Sequence, residues 1–365
     1  MPAKYHPRSA FGRTMMTAAF GFVGAVAFLL ADLPLPLMFG PMTACLLAAL
    51  AGAPLRGTAE VGDAARAVLG VAVGASITPA TIAQLPSMAM SVALVPLYIV
   101  VIGMVGVPFF QRLCRYDPAT AWYASMPGGL QDMVLFGAEA GGNPRALSLI
   151  HASRVLILMV LAPIIVTWGF GATIDNPIGA PAADLPAFEL ALMAAAAFVG
   201  WRGGKRIGLF GAAVLGPLFV TGALSLAGLI HNRPPAEAML AAQFFIGVRI
   251  GADYTGVTLA EVRRDIASGV AFVLVLAALA AIFSEIVVLA GLASPVEAFL
   301  AFAPGGQAEM AMLAIVVGAD LGFVVVHHVV RVLVVITGAP MAAKIFGRGP
   351  AAPTKENRTA DEEAP

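Results

Sequence analysis

Two carboxylates follow the same helix-breaking triplet at two places in the chain. Met126-Pro127-Gly128-Gly129-Leu130-Gln131-Asp132-Met133 returns as Ala303-Pro304-Gly305-Gly306-Gln307-Ala308-Glu309-Met310. A proline followed by two glycines stops a helix and leaves backbone amides free. A helix restarting at Leu130 or Gln307 would turn its N-terminus, with partial positive charge and unpaired N–H groups, toward an anion. Asp132 and Glu309 fall in the first turns of those helices, with Gly128, Gly129, Gly305 and Gly306 supplying the bare amides. Two chemistries fit that placing. The carboxylates cap the amides themselves, or they take up a proton or a cation during transport, as acids inside a membrane do. An acid in both copies favours the second, since Ser or Thr would cap as well.

Other polar residues keep the same register. His151 and Arg154 lie three residues apart and share a helix face, as do His328 and Arg331. An arginine inside an apolar run needs a partner, because burying it alone costs ~2.5 to 3.5 kcal/mol even on insertion scales. Asp132 is the candidate for Arg154, and Glu309 or Asp320 for Arg331; the alternative is an arginine that snorkels or caps the carbonyls of a neighbouring helix. His328, next to His327, reads either as a proton carrier or as a hydrogen-bonding core residue. Asn143 and Asp320 correspond across the copies and join the candidate ligands, with Ser76 from one copy and Asp253 and Thr255 from the other. Asp253 also reads as the partner of Arg249 on its own helix face. No second cluster of His, Cys or carboxylates has ligand spacing, so neither a metal nor a cofactor is expected. No phosphate loop, nucleotide fingerprint or nucleophile triad is present, and an enzyme is not expected.

What positions these residues is a duplication. Pro127 and Pro304 stand 177 residues apart (304 − 127), and the same offset pairs Gly70 with Gly247, Gly74 with Gly251, Asn143 with Asp320 and Pro163 with Pro340. A fixed offset over that stretch means one unit present twice. Gly40-Pro41 and Gly216-Pro217 are 176 apart (216 − 40), so a single insertion or deletion lies between them and Gly70. Of 365 residues, 60% are hydrophobic and 12% charged, with a mean hydropathy of +0.91, against roughly 25% charged in a soluble domain. Long apolar runs without strict alternation make this an integral membrane protein of helices, not a barrel. The formal net charge is zero and no basic run is long enough to bind nucleic acid. Cys45 lies in an apolar run and Cys114 beside basic residues, so no disulfide between them is expected.

Residues 1–13, with Lys4, Arg8 and Arg13, read as a cytoplasmic leader before an uncleaved first helix. Repeat 1 occupies 14–171, with spans at 14–33, 35–53, 64–85, 87–110 and 144–170 and a break at Gly40-Pro41. The linker 172–186 carries Asp175 and Asp184 but no Lys or Arg, and reads as external. Repeat 2 occupies 187–345, with spans at 187–201, 207–230, 238–258, 266–292 and 321–343, and residues 346–365 read as a disordered cytoplasmic tail. Basic loops stay in the cytoplasm. Arg112 and Arg115, the Arg202 to Arg206 cluster and the residues from Lys344 join the leader there only if each Pro-Gly-Gly segment dips in and returns on one side. Each repeat then has five crossings. Making 64–85 the re-entrant element keeps that parity but misplaces Arg112 and Arg115. An odd number inverts the second copy, so the expected fold is an all-α polytopic membrane protein. It is an inverted-repeat bundle of about 10 transmembrane helices plus two re-entrant Pro-Gly-Gly elements whose tips meet at the midplane. Gly70-x-x-x-Gly74 and Gly247-x-x-x-Gly251 read first as helix contacts.

The paired Pro-Gly-Gly-x-x-acid-Met segments, each followed by Asn143 or Asp320, His151-x-x-Arg154 or His328-x-x-Arg331, and Pro163 or Pro340, resemble the duplicated AbrB-type bacterial membrane protein family. The resemblance runs from Thr14 to about Lys344 and implies a multi-pass protein of the bacterial inner membrane with both termini cytoplasmic. Members carry labels from regulator of gene expression to transport protein and ammonia monooxygenase. The name is shared with a small soluble DNA-binding regulator, whose fold is not implied. The expected function is secondary transport of a small organic solute, an anion preferred, coupled to protons or sodium. Indirect regulation of gene expression comes second and a membrane monooxygenase last, since no copper site is evident. The expected partners are the solute, the coupling ion and the lipid bilayer, with no nucleic acid; an oligomer is compatible with the sequence.

Overall fold

The structure, a computed structural model, describes residues 9–33, 35–209 and 211–346. Most of the leader and the tail from 347 onward lie outside the described residues. The first repeat contains α1 (Ala10–Leu30), α2 (Pro36–Leu50), α3 (Ala59–Ala75), α4 (Pro79–Pro108), α5 (Pro118–Ser125), α6 (Leu130–Glu139) and α7 (Pro144–Ile164). The second contains α8 (Ala187–Arg206), α9 (Ala212–Leu226), α10 (Ala236–Ala252), the turn α11 (Leu259–Glu261), α12 (Ala267–Leu289), α13 (Pro295–Phe302), α14 (Gln307–Val317) and α15 (Leu321–Ile345). No strand occurs among the described residues. Five helical stretches, Ala10–Leu30, Thr81–Leu113, Pro144–Gly169, Val262–Leu289 and Leu321–Ile345, are long and apolar enough to cross a membrane. The protein is therefore a helical membrane protein.

Several boundaries differ from the sequence reading. The stretch 64–85 is not one span: α3 stops at Ala75, and Thr78 starts α4 by accepting a hydrogen bond from the Thr81 amide, with Pro79 just inside. A hydroxyl cap and a proline at the first helical position outweigh the continuous hydropathy. Asp253 likewise lies past the end of α10. Gly40-Pro41 does not break α2, which runs through the proline. The glycine serves close approach instead. A Cβ on Gly40 would strike the Gly24 backbone of α1, and one on Gly216 would strike Gly200 of α8.

The two repeats interlock. Gly70 and Gly74 of α3 lie against the Val214 and Leu218 carbonyls of α9, and Gly247 and Gly251 of α10 lie against the Met38 and Met42 carbonyls of α2. Each small-residue face thus docks on the other repeat, as helices pack in lipid by backbone approach. The helices α1 to α3 and α8 to α10 form one layer, here the frame; α4 to α7 and α11 to α15 form a second layer around the hairpins.

Each Pro-Gly-Gly segment is the tip of a helical hairpin, α5/α6 or α13/α14. The mouth of the first is tied where the buried Thr120 hydroxyl accepts from the Asn143 amide at 2.7 Å. At the equivalent place Glu297 accepts from the Asp320 amide at 3.2 Å. The chain therefore enters and leaves each hairpin on one side. The first hairpin opens at the end of the bundle where Lys205 meets Asp63 at 2.6 Å and Arg145 meets Glu261 at 2.7 Å. Arg145 and Thr258 together hold the Glu261 carboxyl well below its usual range, at about 2. The second hairpin opens at the opposite end, where Asn176 donates to the Val316 carbonyl at 3.3 Å and Gly322 lies beneath Thr81. The repeats are inverted. Thr120→Val is expected to leave the Asn143 amide unsatisfied and to lower stability by about 1 to 3 kcal/mol, measured by thermal unfolding in detergent; an unchanged midpoint would show that the mouth needs no tie.

Candidate functional site

Between the frame and the hairpin layer lies a cavity of about 630 Å³, into which both tips project. Gly128, Gly129 and Asp132 line it from one hairpin and Gly305, Gly306 and Glu309 from the other, with Arg154 of α7 and Arg331 of α15 behind them. Its wall toward the frame carries Asp63, Arg66, Lys205, Arg249 and Asp253, residues at the same end of the bundle as the mouth of the first hairpin.

The local chemistry of the tips explains their sequence. Gly129 and Gly306 are the N-cap residues of α6 and α14 and offer no side chain to the first amides. Gly128 and Gly305 leave room for Met133 and Met310 to fold back, since a Cβ on either would come within 2.8 or 2.9 Å of the methionine. A Cβ on Gly306 would collide with the Glu309 carboxylate. The two glycines and the Met at the end of each motif are thus one packing unit.

Arg154 and Arg331 hold the tips from behind. Arg154 donates to the Met126 carbonyl at 3.0 Å and the Gly128 carbonyl at 2.6 Å. Arg331 donates to Ala303 at 2.7 Å and Gly305 at 2.8 Å. One turn earlier, His151 donates from Nε2 to the Tyr123 carbonyl at 3.0 Å, and His328 to Leu300 at 2.8 Å. The Tyr123, Met126, Leu300 and Ala303 carbonyls lie at the ends of α5 and α13, where four acceptors per helix end lack intrahelical donors, and those of Gly128 and Gly305 lie in the tips beyond. The expectation of a carboxylate partner for either arginine is corrected: neither forms an ion pair among the described residues, because the free carbonyls of a broken helix take the guanidinium first. The Nε of each arginine remains buried without a partner, as does the Tyr98 hydroxyl. The two guanidinium groups repel one another, and both act on Tyr98.

The Asp132 carboxyl accepts from its own backbone amide, whereas Glu309, 5% exposed, has no hydrogen-bond or ion-pair partner among the described residues. The remaining candidates are placed elsewhere. Asn143 caps α7 by accepting from the Arg145 and Ala146 amides, and Asp320 caps α15 by accepting from Phe323. The Ser76 hydroxyl donates to Val73 at 2.6 Å, and Thr255 to Ala252 at 2.8 Å. None of these four, nor either histidine, lines the cavity. His328 also accepts from Arg331 at 3.3 Å, so both its ring nitrogens are engaged. Asp253 does line the cavity, paired with Arg249 at 2.9 Å. No group of three or more potential metal ligands occurs among the described residues.

Sequence reasoning missed Tyr98, which has Val275 at the offset position and so leaves no trace in the repeat. It missed Gln307, whose buried Nε2 has no partner and which lines the cavity, and the frame residues Asp63 and Lys205, which look like ordinary surface charges near helix ends. It also missed α5 and α13, although Asp117-Pro118 and Ser294-Pro295 announce their starts.

The family model described as "Transition state regulatory protein AbrB" matches residues 37–347. "Uncharacterized protein YhjN" of Bacillus subtilis (strain 168) is 26% identical over 290 residues, covering 75% of each chain. "Putative regulator AbrB" of Escherichia coli (strain K12) is 23% identical over 347 residues, covering 91% of this chain and 95% of that one. No solved structure matches.

Proposed function

The chain belongs to the AbrB family, and on that premise we propose that it is a secondary transporter of a small organic anion, working by alternating access around the two hairpin tips. One observation supports this above the rest: two half-helix N-termini without side-chain caps, on inverted repeats, converge on one cavity. Free amides and helix dipoles at that point favour negative charge, and meeting broken helices are a recurring device of such transporters. The frame stays fixed in the bilayer while the hairpin layer shifts against it, across an apolar contact that includes α14 on α3. Short connections at 76–78 and 253–258 join the layers. The protein sits in a bacterial inner membrane with both termini cytoplasmic, so that the cavity faces the cytoplasm. It performs no chemistry on the solute.

A second reading, indirect influence on gene expression, draws on the printed name of the E. coli relative. It is compatible with the first, because moving a metabolite changes what regulators sense. Proteoliposomes with an imposed proton gradient and a panel of labelled small carboxylates separate transport from any other activity. Asp132→Asn with Glu309→Gln is expected to lower accumulation at least about tenfold, the effect of uncoupling one proton per pH unit. Unchanged accumulation in the double variant would reject the carboxylates as the coupling site.

A further inference from the structure

We propose that the solute is a dianion whose two anionic groups engage one hairpin tip each, and that it crosses with two protons, one on Asp132 and one on Glu309. The inference deepens the transport reading and rests on it.

The site is built twice, so its charge can be counted by halves. Each half brings one helix N-terminus whose N-cap glycine has no side chain, one buried guanidinium donating to the tip carbonyls, and one carboxyl group lining the cavity. Asp132, Glu309, Arg154 and Arg331 line one cavity, while along the frame Lys205 is bound to Asp63 and Arg249 to Asp253. Arg66, 3.9 Å from Asp63, leaves that wall with one excess positive charge, which draws anions in. Deeper, two positive and two negative side chains cancel. A solute with one anionic group would satisfy one tip and leave the other N-terminus facing an empty cavity. A dianion engages both tips, but it adds two negative charges beside two carboxyl groups. Protonating Asp132 and Glu309 removes that repulsion, leaves two guanidiniums against two anionic groups, and makes the loaded site neutral. By linkage, dianion binding and protonation therefore favour one another.

Sodium is the poorer coupling ion. The tip carbonyls that would ligate it, at Met126, Gly128, Ala303 and Gly305, already accept from guanidinium groups whose charge opposes a cation. The buried, partnerless Nε2 of Gln307 adds a donor on the second tip. With Glu309 nine-tenths buried and unpartnered beside it, the second tip offers the cavity both a carboxyl group and a free amide donor.

The test is an accumulation ratio. Full-length protein in liposomes is given a gradient of one pH unit, clamped to zero membrane potential, with labelled succinate as the dianion and lactate as the monoanion. Two protons per dianion predict accumulation of about 100-fold, tenfold for each proton, unaffected by an imposed potential because the loaded site carries no net charge. Asp132→Asn, checked for folding by size exclusion, is expected to reduce the ratio to about tenfold and to make it respond to potential. Accumulation of lactate alone, a ratio near tenfold in the parent protein, or a requirement for a sodium gradient would overturn this inference while leaving transport intact. No flux and no binding of either solute would overturn the transport reading with it.

Discussion

Arg331→Met is expected to abolish transport, reducing initial flux by at least about 100-fold, because the second hairpin tip loses what holds its shape. The guanidinium is 3% exposed and bridges the Ala303 and Gly305 carbonyls, one on either side of Pro304. Two terms oppose one another. Removing a buried charge relieves a desolvation cost of several kcal/mol. Against it, two charge-assisted hydrogen bonds worth about 1.5 to 3 kcal/mol each are lost and two buried carbonyls are left bare. The terms are of similar size, so the melting temperature is expected to move far less than the flux. That split is the signature of a residue that shapes the tip. Arg331→Lys should fail nearly as badly, since one ammonium cannot reproduce a planar fork reaching two carbonyls. Arg154 holds the other tip in the same way and is expected to behave alike. Flux within threefold of the parent in Arg331→Met would show that tip geometry is set by something else.

Gly247→Leu is expected to prevent assembly of the frame. A Cβ at this position would press on the Met38 carbonyl, with the Met38 carbonyl carbon 3.1 Å away, and neither is a side chain that can rotate aside. Overpacking a core costs about 1 to 3 kcal/mol where neighbours can shift; here two helix axes must separate, and the expected cost lies above that range. Gly203→Ala is the control, because nothing lies within 4 Å of its added carbon. There the higher helix propensity of alanine is expected to add about 0.5 to 1 kcal/mol. Size-exclusion profiles and thermal unfolding in detergent read both. A monodisperse Gly247→Leu protein with the parent's melting temperature would mean that α10 does not depend on this approach to α2.

The sequence made some of this legible because duplication filters noise. A polar residue that recurs at the offset, as Arg154 and Arg331 do, marks a geometric duty performed twice, and these arginines and both acids indeed meet at one cavity. The same filter misled for Asn143 and Asp320, since a helix cap is also performed twice. It was blind to Tyr98, which occurs once, and to Lys205 and Asp63, which lie near the charged ends of α8 and α3. The arginines were paired on paper with carboxylates because charge is visible in a sequence. The carbonyls left over at a helix end and in the tip beyond it are not, and they were the actual acceptors. Span boundaries failed where hydropathy continues through a turn, as at Ser76 to Thr78, because a cap is a single hydroxyl within an otherwise apolar run.

The exchange of partners between the repeats also sets an order in time. The glycine face of α3 belongs on α9, and that of α10 on α2. A ribosome that has finished α3 at Ala75 must still add the chain to Leu226 before α9 is complete. At about 5 to 20 residues per second that is roughly 8 to 30 s. During that interval the first half waits in the bilayer with its small-residue face covered only by lipid. Its fold is a promise that the second half, arriving upside down, completes.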